Sequence, residues 1–446
     1  MKIKLLEEKL VNELKNTKLK YRKKDYEKIK KEPIIIGITG SRGKSSVCYL
    51  LHQYLKNKGY KSVLYSSIEI DSELSYTKKH CAVDNPLKSR ETLLNAVCQC
   101  IDSNADFLIL EVNERAIDLG IINDIDFDIR LITNIIEKQN EVFYPNYVDI
   151  KKKFFKGAKE DEKLLLVVKD NHSQELLNEL NKEKIKIITS PFLSEHYNIK
   201  VKEKDYLIDA VDDLFDSING VNFSITNNKK TDRISSKLLF PFNVFNLSCV
   251  YALLKELNLY DHEAFKKLFN NISIPGRDEI INYENKRIII SVNLVPHLEY
   301  LKKYIPNNKL LVVTGATGTG FKGWLSEFND DQVLKDKELS INFAYKYINK
   351  YADEIYITLS DSGSSNKIDL LNYQEKLIDD KIKCYVEPNR KKAIELAIKN
   401  AKPNDIVFIS GRGNREILCD SEERITLFKD IDIVKLVLRE LKGGRK

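Results

Sequence analysis

Ten consecutive residues, Gly37-Ile38-Thr39-Gly40-Ser41-Arg42-Gly43-Lys44-Ser45-Ser46, carry the most specific chemistry in the chain. Glycines let a backbone turn tightly enough for its N–H groups to surround phosphate oxygens. In such a loop Lys44 reaches the terminal phosphates of a nucleotide, and the Ser45 hydroxyl coordinates Mg²⁺. Gly40, Ser41, Arg42, Gly43 and Ser46 complete the cradle. The spacing is G-x₂-G-x₂-G-K-S, with Ile38 where the commoner G-x₄-G-K-[ST] pattern has glycine. A plain glycine turn would leave Lys44-Ser45 unexplained.

A phosphate loop needs a buried strand to enter it and a helix to leave it, because the helix N-terminus presents its free N–H groups to the anion. Ile34–Thr39 reads as that strand and Ser45–Lys58 as that helix. Strand and helix patterns then alternate. Strands are expected at 61–67, 107–111, 129–134, 164–168 and 185–189, with helices at 89–103 and 147–158. This alternation means βαβ crossovers and a mostly parallel sheet covered on both faces. Between about 196 and 240 the texture turns polar and alternating, as in Val221–Ile225, which suggests a small antiparallel insert. Asn243–Glu256 reads as a helix. After Pro275-Gly276-Arg277 a second series begins, with strands at 287–292, 310–314, 354–358 and 406–410 and helices at 390–400 and 431–441. The expected fold is α/β: a P-loop central domain over 34–272 with a mostly parallel sheet, and a C-terminal Rossmann-like α/β domain over 273–446. A basic helical lead over 1–33 precedes them.

Composition excludes several classes. The 446 residues are 42% hydrophobic and 31% charged, enough apolar material for a sizeable core. The net charge is +7, but residues 1–33 hold twelve Lys or Arg against six Asp or Glu, so the rest is almost neutral. A nucleic-acid-binding body would spread its excess over a face or groove. Ile3, Leu6, Leu10 and Leu14 instead suggest a docked helix with a solvated lysine face. No apolar run is long enough to span a membrane, and the charged N-terminus lacks the core of a signal peptide. Seven cysteines without paired spacing argue against a disulfide framework. The expectation is a cytoplasmic protein with small-molecule partners, and neither nucleic acid nor membrane.

The loop variant, together with a series of motifs downstream of it, resembles the Mur ligase family of ATP-dependent ligases. Leu110-Glu111-Val112 is similar to the family's strand-ending acidic residue, a magnesium ligand. Thr133-Asn134, then Tyr147-x₃-Lys151 and Phe155, are similar to its T-N segment and its carbamylated lysine. Phe242-Asn243-Val244-Phe245-Asn246 resembles the F-N-x-x-N segment that contacts the nucleotide. Gly276-Arg277 matches the G-R opening of the C-terminal domain, and Asn389-Arg390, Asn404-Asp405 and Gly411-Arg412-Gly413 match later segments. The resemblance implies ATP and Mg²⁺ as cofactors, with a carboxylate activated as an acyl phosphate and then coupled to an amine. It implies Lys44, Glu111 and Lys151 as catalytic residues, with Ser45 and Glu111 on a first ion and carbamylated Lys151 on a second. Helix register equally allows Lys152. Asn243, Asn246, Arg277 and Asn293 are then expected on the nucleotide, and Arg390, Arg412 and Asn414 on the substrate.

The chain departs from the family in several places. Lys138-Gln139 stand where Asp-His is usual, and Arg115 replaces a histidine. The D-Y-A-H segment reads Asn293-Leu294-Val295-Pro296, with His297 one residue along, where it would point elsewhere. Lys138, Arg115 and Lys322 could substitute fixed cations for metal charge. Ser360-Asp361-Ser362-Gly363-Ser364 stands where diaminopimelate-adding members have D-N-P-R, and Asn414-Arg415 replace the His-Glu of G-K-G-H-E. A diaminopimelate acceptor is therefore not expected. The C-terminal half is most like the muramyl-tripeptide-forming members, whereas the short lead is like folylpolyglutamate and poly-γ-glutamate synthases. A ring-closing relative in cofactor synthesis, or an ATP-binding scaffold that has lost catalysis, are the alternatives.

Overall fold

The computed structural model describes residues 32–443 apart from 75–79, 82–85, 124, 137–142, 181–182, 210–218, 319–329, 363–364 and 420–424. The expected N-terminal helix, Lys138-Gln139 and Lys322 lie outside the described residues. Contacts divide the chain into two compact units, one of Met1–Gln139 and Tyr144–Ile272, the other of Asn140–Phe143 and Ser273–Lys446.

In the first unit the chain runs β1 (Ile34–Thr39), α1 (Lys44–Asn57), β2 (Ser62–Tyr65), β3 (Glu69–Asp71), β4 (His80–Cys81), α2 (Arg90–Asp102), β5 (Phe107–Glu111), α3 (Glu114–Asp118) and β6 (Ile129–Ile132). It continues through α4 (Tyr147–Lys156), β7 (Lys163–Val167), α5 (Asn171–Glu179), β8 (Ile185–Thr189), α6 (Pro191–His196), β9 (Tyr206–Asp209), β10 (Val221–Asn227), β11 (Lys230–Ser236), α7 (Phe242–Glu256) and α8 (His262–Phe269). The described strands form one sheet in the order β11-β10-β9-β8-β7-β6-β1-β5-β2-β3-β4. From β9 to β2 all neighbours are parallel, and antiparallel strands extend both edges. The polar stretch expected as an insert thus contributes β9, β10 and β11 to the same sheet.

Strands β5 and β6 are buried throughout, and β1 beyond its first residue, as their near-continuous apolar sequences require when helices cover both faces. Helix α1 packs Val47, Leu50, Leu51 and Tyr54 inward, lying against α7, and the Tyr54 ring stacks 6.3 Å from that of Phe269. The consequence for chemistry lies in the register. Ile38 pairs with Glu111 on one side of β1 and with Leu131 on the other, so the loop, Glu111 and the segment after β6 leave the sheet at one carboxyl edge. In parallel α/β sheets that edge is where ligands bind.

The second unit runs β12 (Glu279–Tyr283), β13 (Lys286–Ser291), α9 (His297–Tyr304), β14 (Leu310–Thr314), α10 (Asp330–Tyr351), β15 (Glu354–Ile357), α11 (Lys367–Glu375), β16 (Lys383–Val386), α12 (Arg390–Asn400) and β17 (Ile406–Ser410). A small hairpin of β18 (Ile417–Cys419) and β19 (Ile425–Leu427) precedes α13 (Asp430–Gly443). The main sheet has the order β12-β13-β17-β14-β15-β16, parallel except for β12. Ile288, Ile290, Leu311, Val313, Val407 and Ile409 pack against Ala393, Ile394, Ala397 and Ile398 of α12 and Val434 and Val437 of α13.

Gly276 opens this unit at φ +67°, and a Cβ there would stand 2.1 Å from the backbone nitrogen of Asn414. Only glycine fits both the dihedral and the approach. Gly276→Ala is therefore expected to destabilise the protein by about 2–3 kcal/mol, seen as a lowered thermal midpoint. An unchanged midpoint would mean that the turn and Asn414 move apart freely.

Candidate functional site

The loop after β1 is held from two sides. Thr133 Oγ1 donates to the Arg42 carbonyl (2.6 Å), and Asn134 Nδ2 donates to the same oxygen (2.8 Å). The Arg42 N–H returns a bond to Asn134 Oδ1 (2.9 Å), and the Ser41 N–H donates to the Asn134 carbonyl (3.1 Å). The Thr-Asn pair thus acts as a clamp on the loop backbone. Gly43, at φ +89°, is the N-cap of α1; a Cβ there would meet Asn246 Oδ1 at 2.6 Å. Asn246 donates in turn to Asn243 Oδ1 (2.8 Å), and Asn243 Nδ2 to the Leu239 carbonyl (2.5 Å). The F-N-x-F-N segment therefore starts α7 directly beside the loop.

Lys44, at the start of α1, donates its Nζ to the Gly40 carbonyl (2.9 Å). Ser45 Oγ donates to Glu111 Oε1 (2.8 Å), with Ser67 Oγ 2.8 Å from Ser45 Oγ. Glu111 Oε2 accepts from the Ser67 N–H (2.7 Å) and Ser66 Oγ (3.0 Å). A hydroxyl and a carboxylate oxygen this close can share one hard cation whose ligand distances are about 2.1 Å, so the donor set fits a magnesium ion. Cys48, one turn along α1, stays an inert thiol, because burial and then the Glu111 charge push its pKa well up.

Lys151 and Lys152 are neighbours in sequence with different surroundings. Lys152 faces α5, with Nζ 2.9 Å from Glu175 and 2.8 Å from Glu179. Lys151 is fully buried and turned to the loop side, donating to Thr39 Oγ1 (3.1 Å) and Glu114 Oε2 (3.0 Å). Sequence pattern does not single out Glu114, although it lies only three residues after Glu111. A second unforeseen residue is Lys169, which lies just after β7 and sets its Nζ 4.3 Å over the Phe245 ring. Burial lowers its pKa; Cys249 and Asp170 oppose that shift, and Arg42 adds to it. The sequence signal is a lysine at the end of a buried parallel strand, two strands from the loop.

The remaining expected residues belong to the second unit. Arg277 comes directly after the Gly276 turn, and Asn293 is exposed just beyond β13. Arg390 is buried in a bidentate pair with Asp430, Nε to Oδ1 at 2.8 Å and Nη2 to Oδ2 at 2.7 Å, and Nη2 also donates to the Ser410 carbonyl (2.9 Å). Arg412, likewise buried, donates to Asp361 Oδ1 (2.7 Å), while Arg415 takes Asp361 Oδ2 (3.1 Å). Burial lowers the Arg412 pKa, and Asp361 opposes that shift. Each of these two arginines pairs with a carboxylate of its own chain. Asn414 is buried beside Gly276. His297 turns inward, 2.9 Å from Asp278 and beside the Phe408 ring, as its displaced position suggested.

Comparison with known proteins agrees with this geometry. Residues 38–254 match the Mur ligase middle domain. The UDP-N-acetylmuramoyl-L-alanyl-D-glutamate–2,6-diaminopimelate ligase of Helicobacter pylori is 25% identical over 413 residues, covering 92% of this chain and 85% of the relative. The UDP-N-acetylmuramyl-tripeptide synthetase of Borreliella afzelii is 25% identical over 89% of this chain and 77% of its own length. Among solved structures, E. coli FolC in complex with DHPP and ADP has a TM-score of 0.59 at 16% identity, covering 94% of this chain and 91% of its own. With the loop, its Thr-Asn clamp and the paired asparagines gathered at one edge of the sheet, residues 38–254 of the chain form a Mur ligase middle domain.

Proposed function

We propose that this chain is an ATP-dependent ligase that activates a carboxylate and couples it to an amine, with an acceptor other than diaminopimelate. A carboxylate oxygen attacks the γ-phosphorus of ATP and ADP leaves; the amine then attacks the acyl carbon and phosphate leaves. Both steps gather negative charge, so positioning and fixed cations supply most of the rate. The loop N–H groups and Lys44 would hold the phosphates. Ser45 and Glu111 would hold magnesium, which lowers the repulsion between the phosphates and the incoming carboxylate. Residues beside the loop, Asn243, Asn246 and Phe245 with Lys169, would face the nucleotide base.

The observation that carries this reading is the convergence of Ser45 and Glu111 beside a clamped phosphate loop. Serine at position 364 and arginine at 415 support the departure from diaminopimelate. Screening pairs of carboxylates and amines for ADP release tests the proposal. The expected result is ADP formation that requires one particular pair. Tight binding of Mg-ATP with no ADP formed for any pair would favour a nucleotide-binding scaffold instead.

A further inference from the structure

Arg130, Lys151 and Lys152, all buried, are held by carboxylates of the chain: Glu162, Glu114, and Glu175 with Glu179. Lys169 is different. It lies partly buried, two residues past β7, with its Nζ 4.3 Å over the Phe245 ring. Among the described residues no oxygen accepts a hydrogen bond from that ammonium. The adjacent carboxylate, Asp170, is engaged elsewhere. Its Oδ1 accepts from the Ser173 N–H (2.7 Å) and hydroxyl (2.6 Å) at the start of α5, and its Oδ2 from the Ile135 N–H (3.0 Å). Burial lowers the Lys169 pKa more than Cys249 and Asp170 raise it, and the Arg42 charge acts in the same direction as burial.

Two neighbouring positive groups repel each other, and the one without an acceptor also bears the cost of lost hydration. An anion that meets both removes the two penalties together. The fold indicates which anion. Strand β7 is parallel to β6, and β6 to β1, so Lys169 leaves the sheet at the same carboxyl edge as the phosphate loop. Its ring partner Phe245 belongs to the segment that would face the base, whereas Arg42 belongs to the loop. In any nucleotide the α-phosphate lies between the ribose with its base and the β-phosphate. Lys44 serves the β- and γ-phosphates, which leaves the α-phosphate with backbone N–H groups and no full positive charge. We propose that Lys169, beside Arg42, is a nucleotide-binding residue that donates to the α-phosphate. The Phe245 ring holds the ammonium in place before the nucleotide arrives. This inference rests on reading the loop as a nucleotide site, but not on which carboxylate and amine are joined.

The test uses the full chain and needs no turnover. ADP, AMP and adenosine compete with a fluorescent ADP analogue, in the presence of magnesium, for the parent, Lys169→Met and Lys44→Ala. Methionine keeps roughly the length of the side chain and packs on an aromatic ring, but removes the charge and the donors. Lys169→Met is expected to weaken ADP and AMP by the same factor, about tenfold, and to leave adenosine unchanged. Lys44→Ala should weaken ADP far more than AMP. Without nucleotide, the thermal midpoint of Lys169→Met should equal or exceed the parent's, because an enclosed charge without an acceptor has been removed. A lowered midpoint would make Lys169 a structural cation and overturn the proposal. Parent-like affinities for ADP and AMP would overturn it too, as would a loss for adenosine equal to that for AMP, which places the lysine on the base or ribose. If Lys44→Ala weakens ADP while Lys169→Met does not, this inference fails and the nucleotide reading stands. A parent that binds none of the three ligands refutes both.

Discussion

Replacing Lys44 by alanine is expected to lower ADP formation about 10²–10³-fold while the fold stays intact. The hydrogen bond from Nζ to the Gly40 carbonyl is one half-exposed contact within the loop, so its loss costs about 1 kcal/mol of stability at most. The charge matters far more in the transition state, where negative charge spreads over the transferring phosphoryl oxygens. Thermal unfolding followed by circular dichroism should show nearly the parent midpoint, and a coupled ADP assay should show the loss. Unchanged turnover in the folded variant would remove the phosphate loop from the mechanism.

Glu111→Gln is expected to act through magnesium rather than through folding. The amide oxygen can keep the place of Oε2, which accepts from the Ser67 N–H and Ser66 Oγ. The amide nitrogen would then face Ser45 Oγ, a hydroxyl that can turn to accept. Stability should therefore fall by only about 1 kcal/mol. The ion loses a charged oxygen ligand, however, and turnover at moderate magnesium should fall about a hundredfold. Raising the magnesium concentration should recover part of that loss. A magnesium dependence identical to the parent's would show that Glu111 does not touch the ion.

Much of this architecture is legible in local pattern. The glycine spacing, the buried strand before it and the helix after it are contiguous in the chain, so short-range rules suffice to place them. Continuous apolar runs such as Phe107–Glu111 likewise signal strands covered on both faces. The polar stretch before α7 is less legible. Alternation in β10 and β11 identifies an antiparallel pair, but alternation carries no information about which sheet edge that pair joins.

Which groups meet across long sequence separations was decided by tertiary structure alone. Lys151 and Lys152 are equivalent lysines in the linear chain, and only the packing of α4 turns one to Thr39 and the other to Glu175 and Glu179. Glu114 is an ordinary helix-start carboxylate until the fold brings a lysine from 37 positions away to within 3.0 Å of it. Arg390 and Arg412 have the residue type suited to gripping a ligand, yet burial requires each charge to find a partner, and Asp430 and Asp361 are the ones supplied. The sequence by itself determined the phosphate loop and the family resemblance, because both are written in adjacent residues and in motif order. The tertiary structure decided the charge pairs, because a pair forms wherever the packed backbone sets two side chains together, and no local pattern records that meeting.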